Sequence, residues 1–155
     1  MKTAEEILKE KNVEVIFATP ETTIVDAIKL MVDNKIGALP VKDNDNFVGI
    51  WTERDLIAQI LNPGFYPDRA QLKDYMTKIL HTCPYDANIY TMLDQFLGRR
   101  HRHLLIEKDG KIIGILSQGD VIRASLYEKS KELDELHAKY NWEYYEDWKW
   151  KKQQS

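Results

Sequence analysis

A mixed α/β (α+β) fold, built as a tandem pair of one small unit, follows from three observations. Read against itself with a shift of 65 positions, the chain repeats: Phe47-Val48-Gly49-Ile50-Trp51-Thr52-Glu53-Arg54-Asp55-Leu56 lies over Ile112-Ile113-Gly114-Ile115-Leu116-Ser117-Gln118-Gly119-Asp120-Val121. The same register places Ile24 over Ile89, Met31 over Phe96 and Val41 over Ile106. Within each copy, short apolar runs bounded by turn residues alternate with segments of helical spacing, which gives the order β-α-β-β-α. Two copies in a chain this short imply a pseudo-two-fold pair, because neighbouring repeats bury what each cannot bury alone. The interface between them is the natural place for a ligand.

The elements follow in order. In residues 1–12, Thr3 and Glu6 have capping-box spacing, and Ile7 and Leu8 form the apolar face of a short helix. The first unit spans 13–61. Val13 to Ala18 reads as a strand that Pro20 ends; Thr23 caps a helix whose inward face is Ala27, Ile28, Met31 and Val32. Ala38 to Val41 and Phe47 to Trp51 are strands joined through Asp43-Asn44-Asp45-Asn46, and a helix follows from Glu53 to Leu61. The stretch rich in proline and glycine, Asn62-Pro63-Gly64-Phe65-Tyr66-Pro67, marks a linker over 62–75. The second unit, 76–125, repeats the order: a strand at Ile79 to Thr82 before Pro84, then a helix with Met92, Leu93, Phe96 and Leu97 inward. Strands Leu104 to Ile106 and Ile112 to Leu116 flank Lys108-Asp109-Gly110-Lys111. Residues 126–155 form a helical, aromatic-rich tail, with Leu133, Leu136 and Tyr140 on one side and Trp142, Tyr144, Tyr145, Trp148 and Trp150 beyond.

Bulk composition narrows the function. The chain has 155 residues, 30% of them charged, and a net charge of −3, which argues against holding nucleic acid by counterion release. The start, Met1-Lys2-Thr3-Ala4-Glu5-Glu6, lacks the apolar core of an export signal, and no run approaches the ~18 apolar residues of a membrane span. The single cysteine, Cys83, reads as a small buried group and fits a reducing, cytoplasmic setting.

Each unit ends its last strand in a hydroxyl residue followed three positions later by aspartate: Thr52-Glu53-Arg54-Asp55 and Ser117-Gln118-Gly119-Asp120. Two readings of this pattern stand. A hydroxyl residue three positions before an acid is what a helix N-cap requires, although a capping box prefers the longer Glu or Gln. The same residues can hold a nucleotide, with the hydroxyl residue at the helix start near phosphate and the aspartate accepting from the vicinal hydroxyls of a ribose. Arg54 adds a cation for phosphate where the second unit has Gly119, so the two sites should differ in their preference for phosphate charge.

The doubled motif, together with Gly37-Ala38-Leu39-Pro40-Val41 and Arg102-His103-Leu104-Leu105-Ile106, resembles the cystathionine-β-synthase (CBS) domain pair, or Bateman module. The resemblance covers residues 3 to 125 and is nearest to bacterial stand-alone CBS-pair proteins. It implies an adenosine-containing ligand (AMP, ADP, ATP, NAD or S-adenosylmethionine) in clefts between the units. Asp55 and Asp120 would hold ribose, and Thr52, Arg54 and Ser117 would sit near phosphate. Adenine would lie against Ala18 and Thr19, or His81 and Thr82. The walls would come from Gly37, Ala38, Leu39 and Pro40, or from His103, Leu104 and Leu105, with Arg102 or His103 touching phosphate. Leu105 departs from the family's usual proline, which Pro40 keeps.

His101 and His103 lie in the most basic run of the chain, Arg99 to His103, and the resemblance places that run beside the cleft. His-x-His without nearby cysteine or paired carboxylates is a weak metal signature, so no metal is expected. No nucleophile–base pair, phosphate-binding glycine loop or zinc spacing stands out, and the reading is a binding protein without catalysis. The expected role is a nucleotide sensor that forms a homodimer through its helices and tail. The alternative is an interaction scaffold with vestigial sites, whose aromatic tail recruits an unknown protein partner.

Overall fold

A computed structural model of the chain describes residues 1–78, 81–99 and 101–140, with side chains through 136. The first helix, α1 (Ala4–Lys11), begins in the expected capping box: the Thr3 hydroxyl accepts from the Glu6 amide, and the Glu6 carboxylate accepts from the Thr3 amide at 2.7 Å. The first unit then contains α2 (Ile24–Asn34), β1 (Ala38–Asp43), β2 (Asn46–Thr52) and α3 (Glu53–Gln59). After α4 (Leu72–Tyr75), the second contains β3 (Thr82–Pro84), α5 (Ile89–Arg99), β4 (His103–Lys108), β5 (Lys111–Ser117) and α6 (Gln118–Tyr140). Both hairpins are antiparallel and carry an irregularity at the same repeat position, between Val41 and Lys42 and between Ile106 and Glu107. The 65-residue repeat therefore extends to the detail of strand register.

The first strand of unit one is a correction. Residues 13 to 17 form no strand; Ala18 alone pairs, in parallel, with Val41. The Ala18 amide donates to the Pro40 carbonyl at 3.0 Å, and the Lys42 amide donates to the Ala18 carbonyl at 2.8 Å. The next rung back would need an N–H at position 40, and proline has none. Unit two carries Leu105 at that position, and its parallel ladder reaches back to Thr82. Of the strand expected at Ile79 to Thr82, residues 79 and 80 lie outside the described residues, and β3 continues through Pro84.

Each unit has its own core. Ile24, Ala27, Met31, Leu39, Val41, Trp51, Phe65 and Leu72 pack in the first; Cys83, Ile89, Met92, Phe96, Leu104, Ile106, Leu116 and Val121 pack in the second. Two residues placed inward by helical spacing point outward instead: Val32 is 68% exposed and Leu97 is 77% exposed. They are repeat partners, so the outward turn is a property of the unit.

The helices outside the repeat trade places. α1 precedes unit one but buries Ala4 and Ile7 in the core of unit two, where the Ala4 and Glu5 amides donate to the carbonyls of Ala87 and Tyr85. The 62–75 segment packs on unit one: Phe65 and Leu72 join its core, and the Leu72 and Lys73 amides donate to the Thr22 and Pro20 carbonyls. Gly49 and Gly114 explain how these helices seat. A β-carbon at Gly49 would lie 2.4 Å from Met76 Sδ, and one at Gly114 would lie 2.6 Å from Leu8 Cδ2.

The tail begins as expected, since α6 runs unbroken from the second motif through Tyr140. Trp142, Tyr144, Tyr145, Trp148 and Trp150 lie outside the described residues.

Candidate functional site

The two hydroxyl-x-x-aspartate motifs end β2 and β5 and open α3 and α6. Both cap their helices. Thr52 Oγ1 accepts from the Asp55 amide at 3.3 Å, while Asp55 Oδ2 accepts from the Thr52 amide at 2.9 Å and from its hydroxyl at 3.0 Å. In the second unit Ser117 Oγ accepts from the Asp120 amide at 3.1 Å, and Asp120 Oδ2 accepts from the Ser117 amide at 2.8 Å. Capping does not use up the group. Both bonds onto Asp55 fall on Oδ2, and an ionised carboxylate accepts at two oxygens.

A cleft of about 240 Å³ lies between the units. This is a little below the ~300–1,000 Å³ usual for small-molecule sites. Unit one lines it with Gly37, Ile50, Thr52, Glu53, Arg54 and Asp55; Thr77 follows α4; unit two adds His81, His101, Arg102, His103 and Leu105. The motif of one unit thus faces the basic segment of the other. One wall carries the Glu53 and Asp55 carboxylates and the Arg54 guanidinium, and the facing wall carries a second guanidinium and three imidazoles.

The structure brings eight of the expected residues into this cleft: Gly37, Thr52, Arg54, Asp55, His81, Arg102, His103 and Leu105. Ala38, Leu39, Pro40 and Leu104 are buried among core residues. Ala18 is buried at its bridge to Val41, Thr19 is exposed in the turn closed by Thr22, and Thr82 is half-buried on β3. Ser117 and Asp120 belong to the second motif, where Lys11 Nζ sits 2.8 Å from Asp120 Oδ2. Sequence reasoning did not assign Ile50, Glu53, Thr77 or His101 to the ligand. Glu53 could have been found, since it lies inside the motif; Thr77 carries no local signal.

The histidines sit in distinct environments. The rings of His81 and His101 stand 4.9 Å apart, and Arg99 Nη1 is 3.3 Å from His81 Nδ1. Burial holds His101 below the usual imidazole range, helped by the neighbouring His81 and Arg99. Burial likewise pushes His103 down, with Lys11 acting in the same direction, while Glu53 and Asp120 oppose it. His103 therefore senses both motifs. Among the described residues no group of three or more His, Cys, Asp or Glu side chains is placed to hold a metal ion. Burial raises the Cys83 thiol, as suits an inert core residue. No described helix is long and apolar enough to cross a membrane.

The family model described as CBS domain matches twice, over residues 4–62 and 72–127. The chain is 32% identical over 129 residues to the mitochondrial CBS domain-containing protein CBSX3 of Arabidopsis thaliana, a match covering 79% of this chain and 62% of that protein. Among solved structures it is similar to a CBS-domain containing protein from Agrobacterium tumefaciens, with a TM-score of 0.76 at 30% identity, covering 80% of this chain and 99% of the other. It is also similar to CBSX2 solved in complex with AMP, with a TM-score of 0.67 at 31% identity, covering 83% and 99% of the two chains. Two tandem matches spanning most of the sequence, on a repeat that holds to the level of strand register, show that this chain belongs to the CBS-domain family as a CBS pair.

Proposed function

We propose that this chain is a regulatory module without catalysis that binds an adenosine nucleotide, such as AMP, ADP, ATP or NAD, in the cleft between its two units. One observation carries the reading: the Thr52–Asp55 motif of one unit and the His81, Arg102 and His103 edge of the other line a single cavity. In this reading Asp55 accepts from the ribose hydroxyls while it keeps its cap on Thr52. Arg54 and Arg102 supply cations for phosphate. Apolar Ile50 and Leu105 take the base. The AMP bound to the similar CBSX2 structure supports an adenosine ligand.

The same reading includes a second copy of the chain. Val32, Ile57 and Leu61 are exposed on unit one, and their repeat partners Leu97, Ile122 and Leu126 are exposed on unit two. Two matching apolar faces suit a symmetric homodimer, which covers both with one kind of contact. The tail would extend that interface. The setting is cytoplasmic.

The test is a melting-temperature series with AMP, ATP, NAD, S-adenosylmethionine and single-stranded RNA. A ligand that binds only the folded state raises stability by mass action, by about 2.7 kcal/mol at a hundredfold excess over Kd. The adenosine compounds should raise Tm and RNA should not. A series in which none of the adenosine compounds shifts Tm would overturn the reading.

A further inference from the structure

The two motifs differ in what already occupies them. Asp120 is engaged through both oxygens: Oδ2 receives the Ser117 amide at 2.8 Å and Lys11 Nζ at 2.8 Å, and Oδ1 lies 3.7 Å from Arg123. Lys11 Nζ also donates to the Ile115 carbonyl at 3.3 Å. In unit one the repeat partner of Ile115 is Ile50, whose amide and carbonyl are paired instead with the backbone of Thr77. Ile50 and Thr77 both line the open cleft. A backbone rung thus closes the strand edge beside Asp55, whereas a lysine side chain takes that place beside Asp120.

The lysine is not on a loose arm. It ends α1, which is fixed to unit two by buried Ala4 and Ile7 and by the amides of Ala4 and Glu5. Both partners of the pair are sheltered, Lys11 at 29% exposed and Asp120 at 13%. Burial opposes the Asp120 charge. The Lys11 and Ser117 hydrogen bonds outweigh it and hold the carboxyl below its ordinary value.

We infer that Lys11 is a built-in occupant of the second nucleotide site, holding Asp120 so that a ribose cannot reach it, and that each chain therefore takes one nucleotide, at Asp55. This rests on the nucleotide reading given above. A ribose at Asp120 would have to displace an ammonium from a sheltered carboxylate, exchanging a charged donor for neutral hydroxyls. Lys11 makes the pair asymmetric by a residue outside the repeat.

Calorimetry of the full chain with AMP tests it, on the parent, Lys11→Met, Asp55→Ala and the Lys11→Met/Asp55→Ala double variant. Methionine keeps the unbranched stem, and far-UV circular dichroism establishes that each variant is folded; where one is not, Lys11→Gln replaces Lys11→Met and Asp55→Asn replaces Asp55→Ala. At concentrations that just saturate the parent, the expected stoichiometries are one AMP per chain for the parent, two for Lys11→Met, none detected for the weakened Asp55→Ala and one for the double variant. Two AMP bound by the parent, or one bound by Lys11→Met, overturns the inference and leaves the nucleotide reading intact. Loss of AMP on removing Lys11 also overturns it, making the lysine a ligand contact. No AMP bound by any variant overturns both.

Discussion

Leu8 rests on Gly114 so closely that a β-carbon there would fall 2.6 Å from Leu8 Cδ2 and 2.8 Å from Cδ1. Met76 makes the same approach to Gly49. The glycine of each Gly-Ile-x-hydroxyl segment is therefore a seat for a helix from outside the repeat. Gly114→Ala should destabilise by about 1–3 kcal/mol, the usual cost of overpacking. Leu8→Ala should recover part of that loss when combined with it. A double-mutant cycle by urea unfolding checks this, and strictly additive effects would show that the contact is not the cause.

Thr23 caps α2 by accepting from the Asp26 amide at 3.2 Å and does not line the cleft. Thr23→Ala should cost about 1 kcal/mol of stability with AMP affinity unchanged. Thr52→Ala, at the cap inside the cleft, should lose a similar amount and weaken AMP as well. Urea unfolding and calorimetry on both variants separate capping from binding.

Burial lowers His103 below the ordinary imidazole value of 6.5, so just below that pH the unfolded chain binds more protons than the folded one. Stability should then fall as pH drops from about 7 through that window, because it rises with pH wherever the unfolded state holds more protons. Urea unfolding at several pH values should show this slope, and His103→Gln should flatten it. An unchanged slope in the variant would mean that other groups set it.

Local chemistry was legible where a contact spans three residues: Thr3 with Glu6, Thr23 with Asp26, and Thr52 with Asp55 all cap as their spacing implies. The 65-residue repeat likewise announced the paired hairpins. Contacts set by tertiary partners were hidden. Val13 to Phe17 have strand-forming residues, yet Pro40 on the neighbouring strand removes the rung that would precede Ala18. Val32 and Leu97 continue an apolar stripe whose far edge the unit itself does not cover. Nothing near Lys11 in sequence reveals Asp120, more than a hundred positions away.

The exposed repeat partners Val32 and Leu97 bear on assembly. Replacing each by glutamate in one chain should leave the cores unchanged, since neither side chain belongs to one. In light scattering the parent should run as a dimer and the Val32→Glu/Leu97→Glu variant as a monomer. A variant with undiminished mass would place the interface elsewhere.

Calorimetric titration of AMP into Asp55→Ala, with the parent beside it, bears most directly on whether this cleft holds a nucleotide through its ribose. Removing two charge-assisted hydrogen bonds should weaken binding by roughly 2–4 kcal/mol, in a variant shown to be folded by its thermal transition. The same affinity in Asp55→Ala and parent would contradict the assignment of Asp55 to the ribose.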